Sequence, residues 1–189
     1  MKNLFLAGKN IYLTPLTEAE VTDEYVSWLN DSDVCRDNSH AVFPNTKELT
    51  LQYVRSVVSS GKEIVMAIKW KKNNRHIGNI SLQKINWVNR SAELAIIIGD
   101  KNYWNKGVGT GAYELMIRYA FERLNLNRVS SGQTLRNKGM ISVCRKCGMS
   151  EEGVSRETMF KEGEYLDTVT YAILAKDYWI KKTRRADNE

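Results

Sequence analysis

Tyr103-Trp104-Asn105-Lys106-Gly107-Val108-Gly109-Thr110-Gly111 is the stretch whose reading decides the fold. Before it runs Ala92-Glu93-Leu94-Ala95-Ile96-Ile97-Ile98, and after it Tyr113, Ile117, Ala120, Phe121 and Leu124 recur at helical spacing. The nearly continuous apolar run predicts a strand buried on both faces. The 3.6-residue period that follows predicts an amphipathic helix. Glycines at the junction let the backbone approach a ligand closely. The first turn of a helix adds unpaired N–H groups at the positive end of its dipole. Strand, glycine turn and helix together predict an anion site suited to a pyrophosphate. Spacing excludes two other phosphate motifs. No GxxxxGK[ST] occurs. A Rossmann turn would follow the first strand, whereas this one follows the fourth.

Working outward, residues 10–16 read as a strand, with Ile11 and Leu13 alternating with polar neighbours. A helix is expected from Thr17, where Thr17 and Glu20 match a capping box. Val21, Tyr25, Trp28 and Leu29 would share its buried face. Residues 35–45 are polar and irregular. A second helix over residues 46–60 carries Leu51, Val54 and Val58 as a buried stripe, with Gly61 as its C-cap. Strands follow at 63–68 and 76–82. Beyond the central helix come a strand at 128–134, a helix at 137–147 stopped by Gly148, and a hairpin of 155–160 with 165–174. The expected fold is α/β: one domain over residues 1–180, with a mixed central sheet of about six to seven strands flanked by about four helices. Residues 181–189 read as a basic, flexible tail.

The bulk numbers agree with one soluble domain. The chain has 189 residues, 42% apolar and 26% charged. Its formal charge of +6 favours anionic partners. Neither a recognition-helix motif nor an aromatic RNA-binding signature accompanies that charge, so nucleic acid is not the expected partner. No apolar stretch is long enough to span a bilayer, and no cleavage site follows the N-terminus. A cytoplasmic location is expected. The three cysteines, Cys35, Cys144 and Cys147, read as reduced thiols. Cys144 and Cys147 are spaced CxxC, but no second pair completes a zinc site, and no metal is expected.

The sequence around the glycine turn also resembles a known family. The run Trp104-Asn105-Lys106-Gly107-Val108-Gly109-Thr110, the strand from Glu93 to Ile98, and Asn137-Lys138-Gly139-Met140-Ile141 leading to Lys146-Cys147-Gly148-Met149 are similar to the GNAT superfamily of N-acetyltransferases. The nearest flavour is the branch of ribosomal-protein N-terminal and spermidine acetyltransferases. Trp28-Leu29-Asn30-Asp31 is also typical of that branch. The resemblance implies acetyl-CoA as co-substrate and an amine as acceptor: a protein N-terminus, a polyamine or an amino sugar. It implies a sheet splayed at the cofactor site, where the backbone of Ile96, Ile97 and Ile98 pairs with the pantetheine arm. It places the pyrophosphate on Asn105, Lys106, Gly107, Val108, Gly109, Thr110 and Gly111, with Asn137 and Lys146 as further cofactor contacts. Dimers are common in the family, and a homodimer is expected on that ground. A non-catalytic coenzyme-A-binding module is the alternative, motivated by a departure from the pattern: Cys144 stands where many relatives carry a tyrosine acid.

Acetyl transfer needs a polarised thioester carbonyl, a deprotonated amine and an acid for the departing thiolate. Glu93 is the candidate base, since a carboxylate in an apolar run must be paired or used. A structural ion pair is its other reading. Cys144 is the candidate acid or a small packed residue, with Tyr165 and Tyr171 as substitutes. His40, in the irregular loop, reads as a surface residue.

Overall fold

A computed structural model of the chain describes residues 5–186. Eight strands and six α-helices lie among the described residues. The strands are β1 (Leu6–Ala7), β2 (Ile11–Pro15), β3 (Ile64–Trp70), β4 (His76–Asn86), β5 (Ser91–Ile98), β6 (Arg128–Thr134), β7 (Ser150–Lys161) and β8 (Glu164–Leu174). The helices are α1 (Asp23–Asn30), α2 (Ser32–Cys35), α3 (Lys47–Ser60), α4 (Val108–Glu122), α5 (Lys138–Lys146) and α6 (Ala175–Ala186). The strands form one sheet in the order β1-β2-β3-β4-β5-β6-β8-β7. Every neighbouring pair is antiparallel except β5 and β6. That parallel pair requires a crossover, and α4 supplies it.

Each face of the sheet carries an apolar layer. On one face Leu94, Ile80, Leu82 and Ile68 pack under α4 through Ala112, Met116 and Ala120. On the other, Leu16, Val21, Tyr25, Trp28 and Leu29 gather over Ala67 with Val54 of α3. Alternation along β5 explains the division: Ala92, Leu94, Ile96 and Ile98 face α4, and Ile97 faces α1.

Several elements depart from the sequence expectation, each for a local reason. The helix expected from Thr17 is two pieces. Glu20 accepts from both the backbone N–H and the hydroxyl of Thr17, but closes only a 3-10 turn, Glu18–Glu20. The chain then restarts at Thr22, whose hydroxyl accepts from the Tyr25 amide and caps α1. Asp31 caps α2 the same way. These two caps, together with β1 and α6, raise the counts above the expected ones. Residues 181–186, read as the start of a tail, continue α6, and Lys182 is paired with Glu122 of α4. Residues 187–189 and the Val58 side chain lie outside the described residues. Gly61 and Gly148 terminate α3 and α5 at positive φ, 60° and 83°, as their positions predict. Glu162 and Gly163, both at positive φ, make the two-residue turn between β7 and β8.

Candidate active site

β5 and β6 are hydrogen-bonded partners over only three pairs, Ser91 with Arg128, Ala92 with Val129 and Glu93 with Ser130. Beyond Glu93 the two strands diverge. β5 runs on to Ile98 beside β4, and β6 runs on to Thr134 beside β8. Ala95 to Ile98 are therefore half-buried rather than covered on both faces, because the strand that would flank them has moved away. The gap opens into a cleft of about 680 Å³.

Splaying two strands leaves backbone groups to satisfy. The Ser131 hydroxyl donates to the Leu94 carbonyl at 2.8 Å, and the Trp104 indole N–H donates to the Ile98 carbonyl at 2.8 Å. Backbone groups of a strand alternate in direction, so residues 94, 96 and 98 all face the gap. Ile96 presents its amide and carbonyl there, between the two capped positions. Ser131 has one proton, given to Leu94. Tyr113 Oη, 2.9 Å away, is therefore the donor in its contact with Ser131, and Gln133 Nε2 donates to the same oxygen at 2.7 Å.

α4 begins at the mouth of the gap. Asn105 and Gly107 take left-handed backbone, φ 58° and 74°. Gly107 is the N-cap, and the first internal bond of the helix runs from the Gly111 amide to the Gly107 carbonyl. The amides of Val108, Gly109 and Thr110 thus precede the helical ladder and have no acceptor from it. A turn of this kind holds an anion through its N–H groups and dipole. Gly109 also packs closely: a Cβ there would stand 3.3 Å from the Val143 side chain of α5. Asn105, Gly107, Val108, Gly109, Thr110, Ile96, Ile97 and Ile98 all line the cleft. So do Asn137, whose carbonyl oxygen caps α5 through the Met140 amide, and Lys146. Lys106 and Gly111 lie around the rim of the turn, on a second groove that runs over the outer face of α4.

The two residues proposed for proton transfer lie elsewhere. Glu93 belongs to the last paired step before the splay and is absent from the cleft lining. Its carboxylate is about half exposed and pairs with Lys84 at 2.9 Å, which is the ion-pair reading of that residue. Cys144 is completely buried on the inner side of α5, within 3.7 Å of Gln133 Nε2. Burial pushes its thiol up to about 11, against a weaker opposing pull from Gln133. The structure therefore places Cys144 as a packed residue. Iodoacetamide at pH 8 is expected to spare Cys144 in the folded protein and to alkylate it once the chain is denatured. Modification at the rate of a free cysteine would put the thiol in the cleft after all. Tyr171 is buried against Glu151, to which its hydroxyl donates at 2.6 Å, and Tyr165 is exposed; neither lines the cleft. The His40 side chain is exposed.

The far wall of the cleft comes from α2 and the loop after it. Asp33, Val34, Arg36, Asp37, Asn38 and Ser39 line it. This loop is fixed by cations from β7 and from the turn after β6. Lys161, 9% exposed, donates to the carbonyls of His40 at 2.5 Å and Asn38 at 3.3 Å. Arg136 donates to the Arg36 carbonyl and to Asp37. Asp37, Ser131 and Gln133 were not singled out from the sequence. The contacts of Asp37 with Thr134 and Arg136, and of Ser131 with Leu94, span tens of residues, and no local pattern announces them.

A family model for the acetyltransferase (GNAT) domain matches residues 10–150. The chain belongs to the GNAT acetyltransferases. Over 182 residues this GNAT protein is 32% identical to a probable N-acetyltransferase of Bacillus subtilis, YjcK, covering 91% of this chain and 98% of that one. It is 37% identical over 101 residues to a putative ribosomal N-acetyltransferase of the same organism, YdaF, covering 53% and 55% of the two chains. The crystal structure of spermidine N-acetyltransferase from Vibrio cholerae in complex with CoA and spermine superposes with a TM-score of 0.83. It covers 91% of this chain and 99% of that one, at 21% identity, a likeness of fold. This GNAT protein is an N-acetyltransferase. Among its described residues no helix is long and apolar enough to cross a membrane, and no three metal-ligating side chains cluster.

Proposed function

We propose that the chain moves the acetyl group of acetyl-CoA directly onto a primary amine. The observation that carries this is the splayed pair β5–β6 ending at the free first turn of α4. The amides of residues 108–110 would hold the pyrophosphate, with Lys106 and Lys146 adding positive charge around it. The exposed backbone of Ile96 would pair with the amide-bearing arm of the cofactor in place of β6. Acetyl-CoA supplies the activated carbonyl. The amine nitrogen forms a bond to the carbonyl carbon, the carbon–sulfur bond breaks, and the sulfur leaves as coenzyme A thiol. The amine would enter along the wall formed by residues 33–39, which lines the same cleft as the anion site. Neither Glu93 nor Cys144 faces this path, so the proton released by the amine passes to water in the open cleft, and water returns one to the sulfur.

The test is thermal unfolding with and without acetyl-CoA, followed by thiol release with a peptide N-terminus, an amino sugar and spermidine as acceptors. A ligand that binds only the folded state raises the melting temperature by mass action, by about 2.7 kcal/mol of stability at a hundredfold excess over Kd. A clear rise is expected, and thiol release with one of the amines. No rise at saturating acetyl-CoA would remove the assignment. A rise with no release from any amine would favour the non-catalytic module.

A further inference from the structure

Two carboxylates stand on the acceptor wall, and the fold treats them differently. Asp33 is exposed and spent on Lys101 at 2.7 Å, with Arg36 at 3.4 Å. Asp37 is held deeper, with its side chain 21% exposed. Both of its inward bonds fall on one oxygen: the Thr134 hydroxyl donates to Oδ1 at 2.7 Å, and Arg136 Nε donates to Oδ1 at 2.8 Å. Among the described residues Oδ2 has no hydrogen-bond partner. The carboxylate is thus oriented by two donors and keeps one oxygen free on the cleft wall.

Its place along the gap follows from register. β5 and β6 pair in parallel at Ser91 with Arg128, Ala92 with Val129 and Glu93 with Ser130. Continuing that register step by step sets Thr134 level with Ile97. Asp37, bonded to Thr134, therefore stands across the gap at the height of Ile96 and Ile97. This is where the reading above places the thioester arm.

We propose that Asp37 receives the ammonium group of the acceptor, and that the site is built for a single ammonium rather than a polycation. The proposal rests on the acetyl-transfer reading. One free carboxylate oxygen matches one charged amine. The remaining acidic group on the wall is neutralised, and the exposed Arg36 beside Asp37 would repel a second positive charge. The acceptor class is a primary amine carried on a neutral or anionic molecule. The pairing with Arg136 holds the Asp37 carboxylate in one orientation, which suits it to recognising the ammonium.

The experiment needs no knowledge of the natural acceptor. Binding of three ligands is compared by titration: coenzyme A, its S-propyl thioether, and its S-(2-aminoethyl) thioether, which carries an ammonium where the propyl has a methyl. The wild-type protein is expected to prefer the aminoethyl over the propyl ligand by about tenfold, the scale of one partly desolvated charged hydrogen bond. Asp37→Asn keeps an oxygen for Thr134 and Arg136. It is expected to abolish the preference while leaving coenzyme A affinity within twofold. Thr134→Val, which frees the carboxylate without removing its charge, is expected to reduce the preference partway, and serves if Asp37→Asn does not fold. A wild-type protein that binds coenzyme A but shows no preference overturns the proposal. So does a preference that survives both substitutions. A protein that binds none of the three ligands fails the acetyl-transfer reading instead.

Discussion

Gly99→Ala is expected to destabilise the protein by about 3 kcal/mol, a fall of roughly 6–12 °C in melting temperature for a domain of this size. Gly99 follows the last residue of β5 and is buried. A Cβ at this position would lie 1.9 Å from Cδ2 and 2.2 Å from Cε3 of Trp28. The obstacle is therefore the indole ring itself rather than the tip of a flexible chain. Trp28 cannot swing aside cheaply. It is 6% exposed, with Tyr25 at 5.7 Å and His76 at 5.1 Å between ring centroids. Its backbone carbonyl also accepts from the buried Cys35 thiol of α2 at 3.2 Å. Relief of the clash must then pass through α1 into α2 and the cleft wall that α2 begins. Thermal melts of Gly99→Ala, Trp28→Phe and the double variant test this. The smaller ring should restore part of the loss, so the two changes should not add. A single variant that melts within about 2 °C of wild type would mean that Trp28 has room to move, against the packing described.

The pattern of legible and illegible features has a physical basis. β5, the glycine turn and α4 were readable because each rests on local chemistry: an apolar run, left-handed glycine and a helical period. Caps were readable as residue types but not as boundaries. Thr17 and Glu20 do bond to each other, yet the bond closes a single 3-10 turn, and Thr22 starts the true helix. β1 is two residues long, and α6 looks like a charged tail because its buried face is narrow. The strand and glycine-turn wall of the cleft was legible because backbone groups of contiguous residues build it. The wall at residues 33–39 was not. Asp37 acquires its meaning from Thr134 and Arg136, about a hundred residues away in sequence. Glu93 misled for a related reason. Its strand neighbours are apolar, but its partner Lys84 lies across the β4–β5 turn, and the pair sits at the closed end of the splay.

Ser131→Ala is expected to cost about 1–3 kcal/mol and to raise the KM for acetyl-CoA roughly tenfold, with the acceptor KM less affected. Removing one hydroxyl strands three buried groups together: the Leu94 carbonyl, Tyr113 Oη and an N–H of Gln133. Desolvated polar groups left without partners cost more than the bond they lost was worth. The functional effect comes from position. Leu94 is the first residue of β5 beyond the parallel ladder, and the Ser131 side chain bridges the distance that backbone bonding no longer spans. Without the bridge, the Leu94 carbonyl regains a partner most directly by drawing the two strands together. That would narrow the gap at the step before Ile96. Tyr113→Phe is the discriminating control. It removes one donor to Ser131 but leaves the Ser131 bond to Leu94 in place, so it should lower stability by about 1 kcal/mol without moving the KM for acetyl-CoA. If both variants raise that KM alike, the splay is held by general packing around Tyr113. If only Ser131→Ala does, a single side-chain hydroxyl sets the width of the cofactor gap.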